Sequence, residues 1–216
     1  MTHDEIIKAL FDETMIGNAP AVLELTNKAL AEGMGPDTIL FEALIPSLEE
    51  VGARFERGDY FVPEMLIAGK AMSGALNVLR PLLAETGAET VGTFLMGTVK
   101  GDVHDIGKNL VNIMLEGAGF KVIDIGVQVA PEKFIAAINE HQPDILGMSA
   151  FLTTTMPMFK VNIHEITKAG LRDKVIIMVG GAPVTQEYAD AVGADGFASD
   201  ASTAVRVAKD LIQKKR

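Results

Sequence analysis

The hydrophobic periodicity of the chain changes once, near residue 85, and this change restricts the fold more than any other feature. Over residues 3–85, apolar side chains recur at the spacing of amphipathic helices, without a convincing strand. After that point, short apolar runs alternate with helical segments. We therefore expect a helical-bundle domain over residues 1–85, a linker over 86–90 and an α/β domain over 91–216.

Four helical segments are predicted in the first half. Pro20, Pro36 and Pro63 each stand near the start of an apolar-periodic run, the position in a helix that tolerates proline best. The third run ends at Gly58 and is expected to break near Pro46, because proline lacks the backbone N–H of the helical ladder. Short connections between the segments favour an antiparallel four-helix bundle.

The second half alternates between strands and helices. Strands are predicted at 91–99, 121–125, 145–150, 175–180 and near Phe197, and helices near 106–117, 131–140, 155–168, 185–192 and 201–214. Five strands separated by helices imply a doubly wound parallel sheet, flavodoxin- or Rossmann-like, with both faces covered.

Composition excludes several classes of function. The net charge of −10 argues against nucleic acid as a partner, since phosphate binding requires a basic surface. The absence of cysteine excludes disulfides, thiolate metal sites and thiol catalysis. The acidic N-terminus lacks the layout of a signal peptide, and no apolar stretch approaches the roughly 20 residues that span a bilayer. We expect a cytoplasmic protein without membrane contact.

Polar and small residues follow three of the predicted strands. The first loop contains Asp102 and His104, the third strand runs into 149–155, and the fourth runs into Gly180 and Gly181. The carboxyl ends of parallel strands share one edge, where open α/β sheets bind their ligands. A carboxylate that holds one imidazole nitrogen leaves the other nitrogen free to coordinate a metal.

Each of these signals also has an ordinary structural explanation. A single loop histidine is usually a surface residue, and Asp102 could cap the helix that follows it. The serine and threonine run could cap the next helix, and Gly180-Gly181 could form a tight turn. Their order along the chain and their common edge favour a shared ligand site.

The pattern Asp102-x-His104-x-x-Gly107, with Ser149 and then Gly180-Gly181 further along the chain, resembles the cobalamin-binding fingerprint of the methionine synthase-like and corrinoid methyltransferase families. The helical half is similar to the cap domain of those families, so the resemblance covers essentially the whole chain. One departure is Phe151, which stands where the families have leucine.

The resemblance implies a role for each matching residue. His104 would be the lower cobalt ligand, Asp102 would hydrogen-bond His104, and Ser149 would hydrogen-bond Asp102 and help to manage the proton of this network. Further cofactor contacts are expected from Gly101, Val103, Asp105, Ile106, Gly107, Leu152, Thr153, Gly180, Gly181, Ala182, Ser199 and Asp200, and from Phe61 and Met65 of the helical half.

The resemblance also implies a function. The chain would carry a methyl group on cobalamin between a substrate-specific methyltransferase and a second methyltransferase, whose acceptor is tetrahydrofolate or coenzyme M. A reductive activase is a further expected partner, and the chain would be a subunit of a multi-component system and not a complete enzyme. Three alternatives remain open: the cobalamin subunit of an adenosylcobalamin mutase, a cobalamin-dependent sensor, and a cofactor-free flavodoxin-like interaction module.

Overall fold

The computed structural model describes residues 1–86 and 90–215. The chain divides into two compact units, one formed by Met1–Thr90 with Gly117–Gly119 and the other by Val91–Glu116 with Phe120–Arg216. Most of the predicted linker, residues 87–89, lies outside the described residues. The predicted domain boundaries stay a prediction. Within the described residues, every helix is too short or too polar to cross a bilayer.

The first unit is helical. Its elements are α1 (His3–Met15), α2 (Ala19–Ala31), α3 (Pro36–Ile39), a π-helical turn (Leu40–Leu44), α4 (Ile45–Glu56) and α5 (Val62–Thr86). Helix α1 packs against α2, α4 and α5, and α5 packs against α2 and α4. This is the bundle that the apolar periodicity predicts, with α3, the π-helical turn and α4 forming its third member.

Side chains define where the first helices begin. Thr2 and Glu5 form a reciprocal capping box, in which each side chain accepts the other residue's backbone N–H, at 3.2 and 2.8 Å. The Asn18 side chain accepts from the N–H of Ala21 at the start of α2.

The expected break near Pro46 is wrong. The helix continues through this residue because the π-helical turn immediately before it widens the ladder: the N–H of Ile45 bonds to the carbonyl of Leu40, five residues back. Such a turn accommodates a proline whose ring would collide with the carbonyl oxygen of the preceding α-helical turn.

The described residues of the second unit form five strands and five α-helices. The strands are β1 (Thr93–Thr98), β2 (Lys121–Asp124), β3 (Ile145–Ser149), β4 (Ile176–Gly180) and β5 (Gly196–Ala198). The helices are α6 (Ile106–Gly117), α7 (Pro131–His141), α8 (Pro157–Lys168), α9 (Gln186–Val192) and α10 (Ala201–Lys215), with a 3₁₀ turn at Arg172–Lys174. All pairs are parallel, in the order β2-β1-β3-β4-β5. The predicted five-stranded, doubly wound fold is confirmed.

Helices cover both faces of the sheet. On one face, strand residues such as Leu146 and Ile177 join Phe134 of α7 and Phe159 of α8 in a continuous buried core. Helix α10 packs against β5, and right-handed connections place α6 on the face opposite α7 and α8. Strand order reverses between β1 and β3, so the loops that follow these two strands flank the crevice where this fold binds ligands.

Candidate functional site

The predicted site residues of the second unit lie at the carboxyl edge of the sheet. The β1–α6 loop and the start of α6 contain Gly101, Asp102, Val103, His104, Asp105, Ile106 and Gly107. Ser149, Gly180, Gly181 and Ala182 end β3 and β4 or follow them directly, Leu152 and Thr153 lie in the loop after β3, and Ser199 and Asp200 follow β5.

The β1–α6 loop holds His104 at three points. Asp102 is fully buried, and its Oδ1 accepts the backbone N–H of His104 at 3.0 Å. The same oxygen lies 2.7 Å from Nδ1 of the imidazole, which confirms the expected hydrogen bond between the two side chains. The Thr98 hydroxyl donates to the His104 carbonyl at 3.1 Å. The backbone of His104 and the Nδ1 atom of its ring are therefore both held from the β1 side.

The second oxygen of Asp102 receives donors from the loop after β3. Oδ2 accepts the hydroxyl of Thr155 at 2.7 Å, the N–H of Phe151 at 2.8 Å and the N–H of Leu152 at 3.3 Å. Burial acts to raise the pKa of this carboxyl, but the donors from Thr155, His104 and Phe151 outweigh burial and hold the pKa well below its usual range. The buried carboxylate is therefore ionised at neutral pH.

The imidazole is left with one free nitrogen. An ionised carboxylate only accepts, so Nδ1 carries a proton, and in the neutral imidazole Nε2 is the nitrogen that has a lone pair. Nε2 has no hydrogen-bond partner in the part of the chain that the structure describes, and the side chain is 44% exposed. Across residues 1–86 and 90–215, no group of three or more His, Cys, Asp or Glu side chains could hold a bare metal ion. His104 therefore offers one exposed imidazole nitrogen at this edge of the sheet.

The predicted hydrogen bond from Ser149 to Asp102 is wrong. Among the described residues, the hydroxyl that reaches this carboxylate belongs to Thr155. The chain turns back after β3, and the N–H of Thr155 bonds to the carbonyl of Leu152, which carries the threonine over the β1–α6 loop. The predicted run 149–155 does contain the hydroxyl that donates to Asp102, but the spacing along the sequence could not identify which hydroxyl folds back.

Ser149 instead belongs to a row of small residues across the sheet. Thr98, Ser149, Gly180 and Ala198 are lateral neighbours on four adjacent strands, each at the last paired position of its strand. Because side chains alternate along a strand, this row faces away from the core that contains Met148. The row therefore places small side chains on the other face of the sheet, at the edge where His104 stands.

Gly181 allows two loops to approach each other. Its φ is +135°, and a Cβ at this position would lie 1.9 Å from the carbonyl oxygen of Ala150. A side chain here would collide with the backbone after β3, so this approach of the two loops requires glycine. The cofactor contact expected of Gly181 stays a prediction.

Large apolar side chains are exposed around His104. They come from the β1–α6 loop, the start of α6 and the loops after β2 and β3: Val103, Ile106, Val127, Phe151 and Leu152. Exposed apolar residues gathered at one site indicate a binding surface. Phe151 and Val127 were not among the predicted site residues, because single exposed apolar residues have no distinctive sequence pattern.

A buried lysine supports the same edge and was also missed. The side chain of Lys108 on α6 is 2% exposed and pairs with Asp124 at the end of β2. Asp124 also accepts from Asn112 at 2.9 Å and from the N–H of Gly126 at 2.8 Å. The pair ties α6 to the loop after β2, where the N–H of Gln128 donates to the Asp102 carbonyl at 3.0 Å.

Three other residues that were predicted to contact the cofactor differ in their surroundings. Asp200 caps α10, accepting the N–H of Thr203 at 2.8 Å and the hydroxyls of Ser199 and Thr203. In the helical unit, Phe61 is 64% exposed and Met65 is 1% exposed. Their contact with a cofactor stays a prediction.

Both halves of the chain match known protein families. Two family models match, each described as a B12 binding domain, over residues 92–208 and 6–80. A dimethylamine corrinoid protein of Methanosarcina barkeri is 42% identical over 213 residues, covering 98% of this chain and 100% of the relative.

Two solved structures share the fold over 97% of the chain. The methanol:cobalamin methyltransferase complex of Methanosarcina barkeri matches with a TM-score of 0.85 and 29% identity, over 80% of its own chain. A cobalamin-binding protein of Desulfitobacterium hafniense DCB-2 matches with a TM-score of 0.76 and 27% identity, over 98% of its own chain. The family models match both units, and a corrinoid protein is similar over almost the whole chain. The chain therefore belongs to the family of corrinoid proteins built from B12 binding domains.

Proposed function

We propose that this chain is a methyl carrier, which binds a corrinoid cofactor and moves a methyl group between two methyltransferases. The observation that carries the proposal is the free Nε2 of His104, presented by an imidazole whose other nitrogen is held by a buried, ionised Asp102. When bound, the corrinoid supplies a cobalt centre that accepts and donates methyl groups.

The residues present fit such a cofactor. A single imidazole suffices for a metal that a macrocycle already holds. The exposed apolar side chains around His104 offer a surface to the ring system. In the row from Thr98 to Ala198, Ser149 and Gly180 are half-buried, and this is where we expect the nucleotide tail to lie, with the Ser149 hydroxyl as a polar partner.

Each residue of the network then has its own task. His104 would ligate the metal through Nε2, and Asp102 would fix the tautomer and the orientation of the imidazole. Thr155 keeps Asp102 ionised and oriented through its hydroxyl. Asp102, whose Oδ1 lies 2.7 Å from Nδ1, would keep the imidazole oriented toward the cofactor.

Two methyltransferases are the proposed partners, together with a reductive activase. The relative named a dimethylamine corrinoid protein supports methylated amines as the first donor class to test, and the structural match to a methanol:cobalamin methyltransferase complex supports methanol as the second. Tetrahydrofolate or coenzyme M is the proposed acceptor. Location in the cytoplasm stays a prediction.

Binding of hydroxocobalamin to the purified chain tests the first step. The chain is mixed with the corrinoid and desalted, and its absorption spectrum is compared with those of His104→Ala and His164→Ala. His164 lies exposed on α8 and serves as the matched control. We expect stoichiometric retention with the same spectrum in the wild type and His164→Ala, and altered cobalt ligation in His104→Ala. Loss of all colour on the column would exclude the carrier function.

Methyl transfer tests the second step. The loaded and reduced chain is incubated with methyltransferases specific for dimethylamine, monomethylamine or methanol, each with its donor. Methylation of the bound corrinoid by one of them would identify the donor. A loaded chain that none of these enzymes methylates, while each methylates its own carrier, would contradict the proposed donor classes.

A further inference from the structure

Phe151 contacts both members of the His104–Asp102 pair. Its ring stacks on the imidazole of His104, with centroids 4.5 Å apart and an interplanar angle of 30°. Its backbone N–H donates to Oδ2 of Asp102 at 2.8 Å. Phe151 is nevertheless 51% exposed, so the core does not require this ring. The family resemblance has leucine at this position, which cannot stack.

A second contact is needed to define the plane of the imidazole. The hydrogen bond to Asp102 holds one ring atom, Nδ1, but small rotations about the side chain's own bonds still tilt the plane of the ring. Such a tilt changes the direction in which Nε2 presents itself, because Nε2 lies off the line that joins Nδ1 and Oδ1. A flat neighbour stacked on the imidazole restricts the tilt, since it fixes the ring face as well as one atom.

We propose that Phe151 is a positioning residue that braces the His104 imidazole, so that Nε2 is held in the direction from which it ligates the metal. This inference rests on the proposed corrinoid function. Because one residue supplies both the stacking ring and a donor to Asp102, the brace and the carboxylate move together with the β3 loop. The loop therefore biases the chain toward the state in which His104 is bound to the metal.

The first test needs no cofactor. A phenyl ring stacked on an imidazole shields the imidazole protons, so the His104 ring resonances of the cofactor-free chain should lie upfield in proton NMR. In Phe151→Leu they should move downfield toward the position of an unstacked histidine. The control is Phe41→Leu, which removes a phenylalanine of similar exposure from the helical unit.

The second test measures ligation at one fixed pH. The wild type, Phe151→Leu and Phe41→Leu are loaded with hydroxocobalamin and reduced to the cobalt(II) state. The ratio of histidine-ligated to unligated cobalt is then read from the EPR spectrum. An aromatic contact of this kind corresponds to a change of about two- to tenfold in that ratio. We expect Phe151→Leu to retain corrinoid with the ratio lowered by this factor, and Phe41→Leu to match the wild type.

The outcomes separate this inference from the proposed function. An unchanged or raised ratio in Phe151→Leu, with corrinoid retained, would overturn the brace and leave the carrier function intact. Unchanged His104 resonances in cofactor-free Phe151→Leu would overturn it as well. Failure of the wild type to retain any corrinoid would overturn the proposed function and the brace with it.

Discussion

Removing the Thr155 hydroxyl, which donates to the buried carboxylate of Asp102, should lower the free energy of unfolding by a predictable amount. Thr155→Val is nearly isosteric, so it removes the 2.7 Å hydrogen bond to Asp102 Oδ2 without opening a cavity. A hydrogen bond to a charged group contributes about 1.5–3 kcal/mol. Two backbone N–H donors remain on the same oxygen, so we expect the lower half of this range, about 2 kcal/mol.

Urea unfolding followed by circular dichroism measures this loss. With a typical slope of about 1–3 kcal/mol per molar urea, the midpoint of the α/β unit should fall by about 1 M. Ser149→Ala is the matched control. It removes a hydroxyl at the end of β3, and among the described residues this hydroxyl does not contact Asp102. Its expected cost is within about 0.5 kcal/mol.

The reasoning would be refuted if Thr155→Val cost no more than Ser149→Ala. A larger cost for Ser149→Ala would restore the role that the family resemblance implies for Ser149. Thr155→Ser, which keeps the hydroxyl, should recover most of the lost stability.

Three further predictions concern the framework of the site. A Cβ at Gly107 meets nothing within 4 Å, so Gly107→Ala should stabilise α6 by up to about 1 kcal/mol in urea unfolding. The same substitution should weaken the retention of hydroxocobalamin, because we expect the cofactor to occupy that space. Lys108→Met leaves Asp124 without its cation and should cost about 1–3 kcal/mol by the same assay, below the range for a fully buried pair because Asp124 is 35% exposed. Burial of Asp200 acts to raise its pKa, but the N–H of Thr203 and the Ser199 hydroxyl hold that pKa below its usual range. The advantage of the wild type over Asp200→Asn should therefore be complete above about pH 4 and disappear as the pH falls through the folded-state pKa.

Each of these has a contradicting result. Unimpaired retention in Gly107→Ala would show that the open space is not used by the cofactor. Lys133→Met, which removes a surface lysine bonded to the Ile125 carbonyl of the same loop, is the control for Lys108→Met, and equal costs would contradict the special role of the buried pair. A stability difference between Asp200→Asn and the wild type that grows on acidification would contradict the sign of the pKa shift.

The architecture was predictable because it depends on periodicity. The alternation of apolar runs and helical segments located the first four strands to within two residues at each end and placed the fifth near Phe197, and the loops after β1, β3 and β4 do share one edge. The pair Asp102–His104 was predictable for a local reason, since two residues of separation in a turn suffice to bring a carboxylate to an imidazole.

Contacts that depend on loop conformation were not predictable. Nothing in the spacing indicates that Thr155, and not Ser149, folds back over Asp102, because the path of the loop after β3 decides it. The burial of Lys108 depends on where Asp124 ends a neighbouring strand. Pro46 was misinterpreted because a π-helical turn has no distinctive sequence pattern.

The most direct test of the central claim identifies the axial nitrogen on cobalt. The chain is produced with ¹⁵N-labelled histidine, loaded with unlabelled cobalamin and reduced to cobalt(II), and its EPR spectrum is compared with that of the unlabelled protein. If His104 Nε2 is the ligand, the nitrogen splitting changes from triplets in the unlabelled protein to doublets in the labelled protein, and it disappears in His104→Ala. Triplets that persist in the labelled protein would show that the cofactor's own base is the ligand, and would contradict the account.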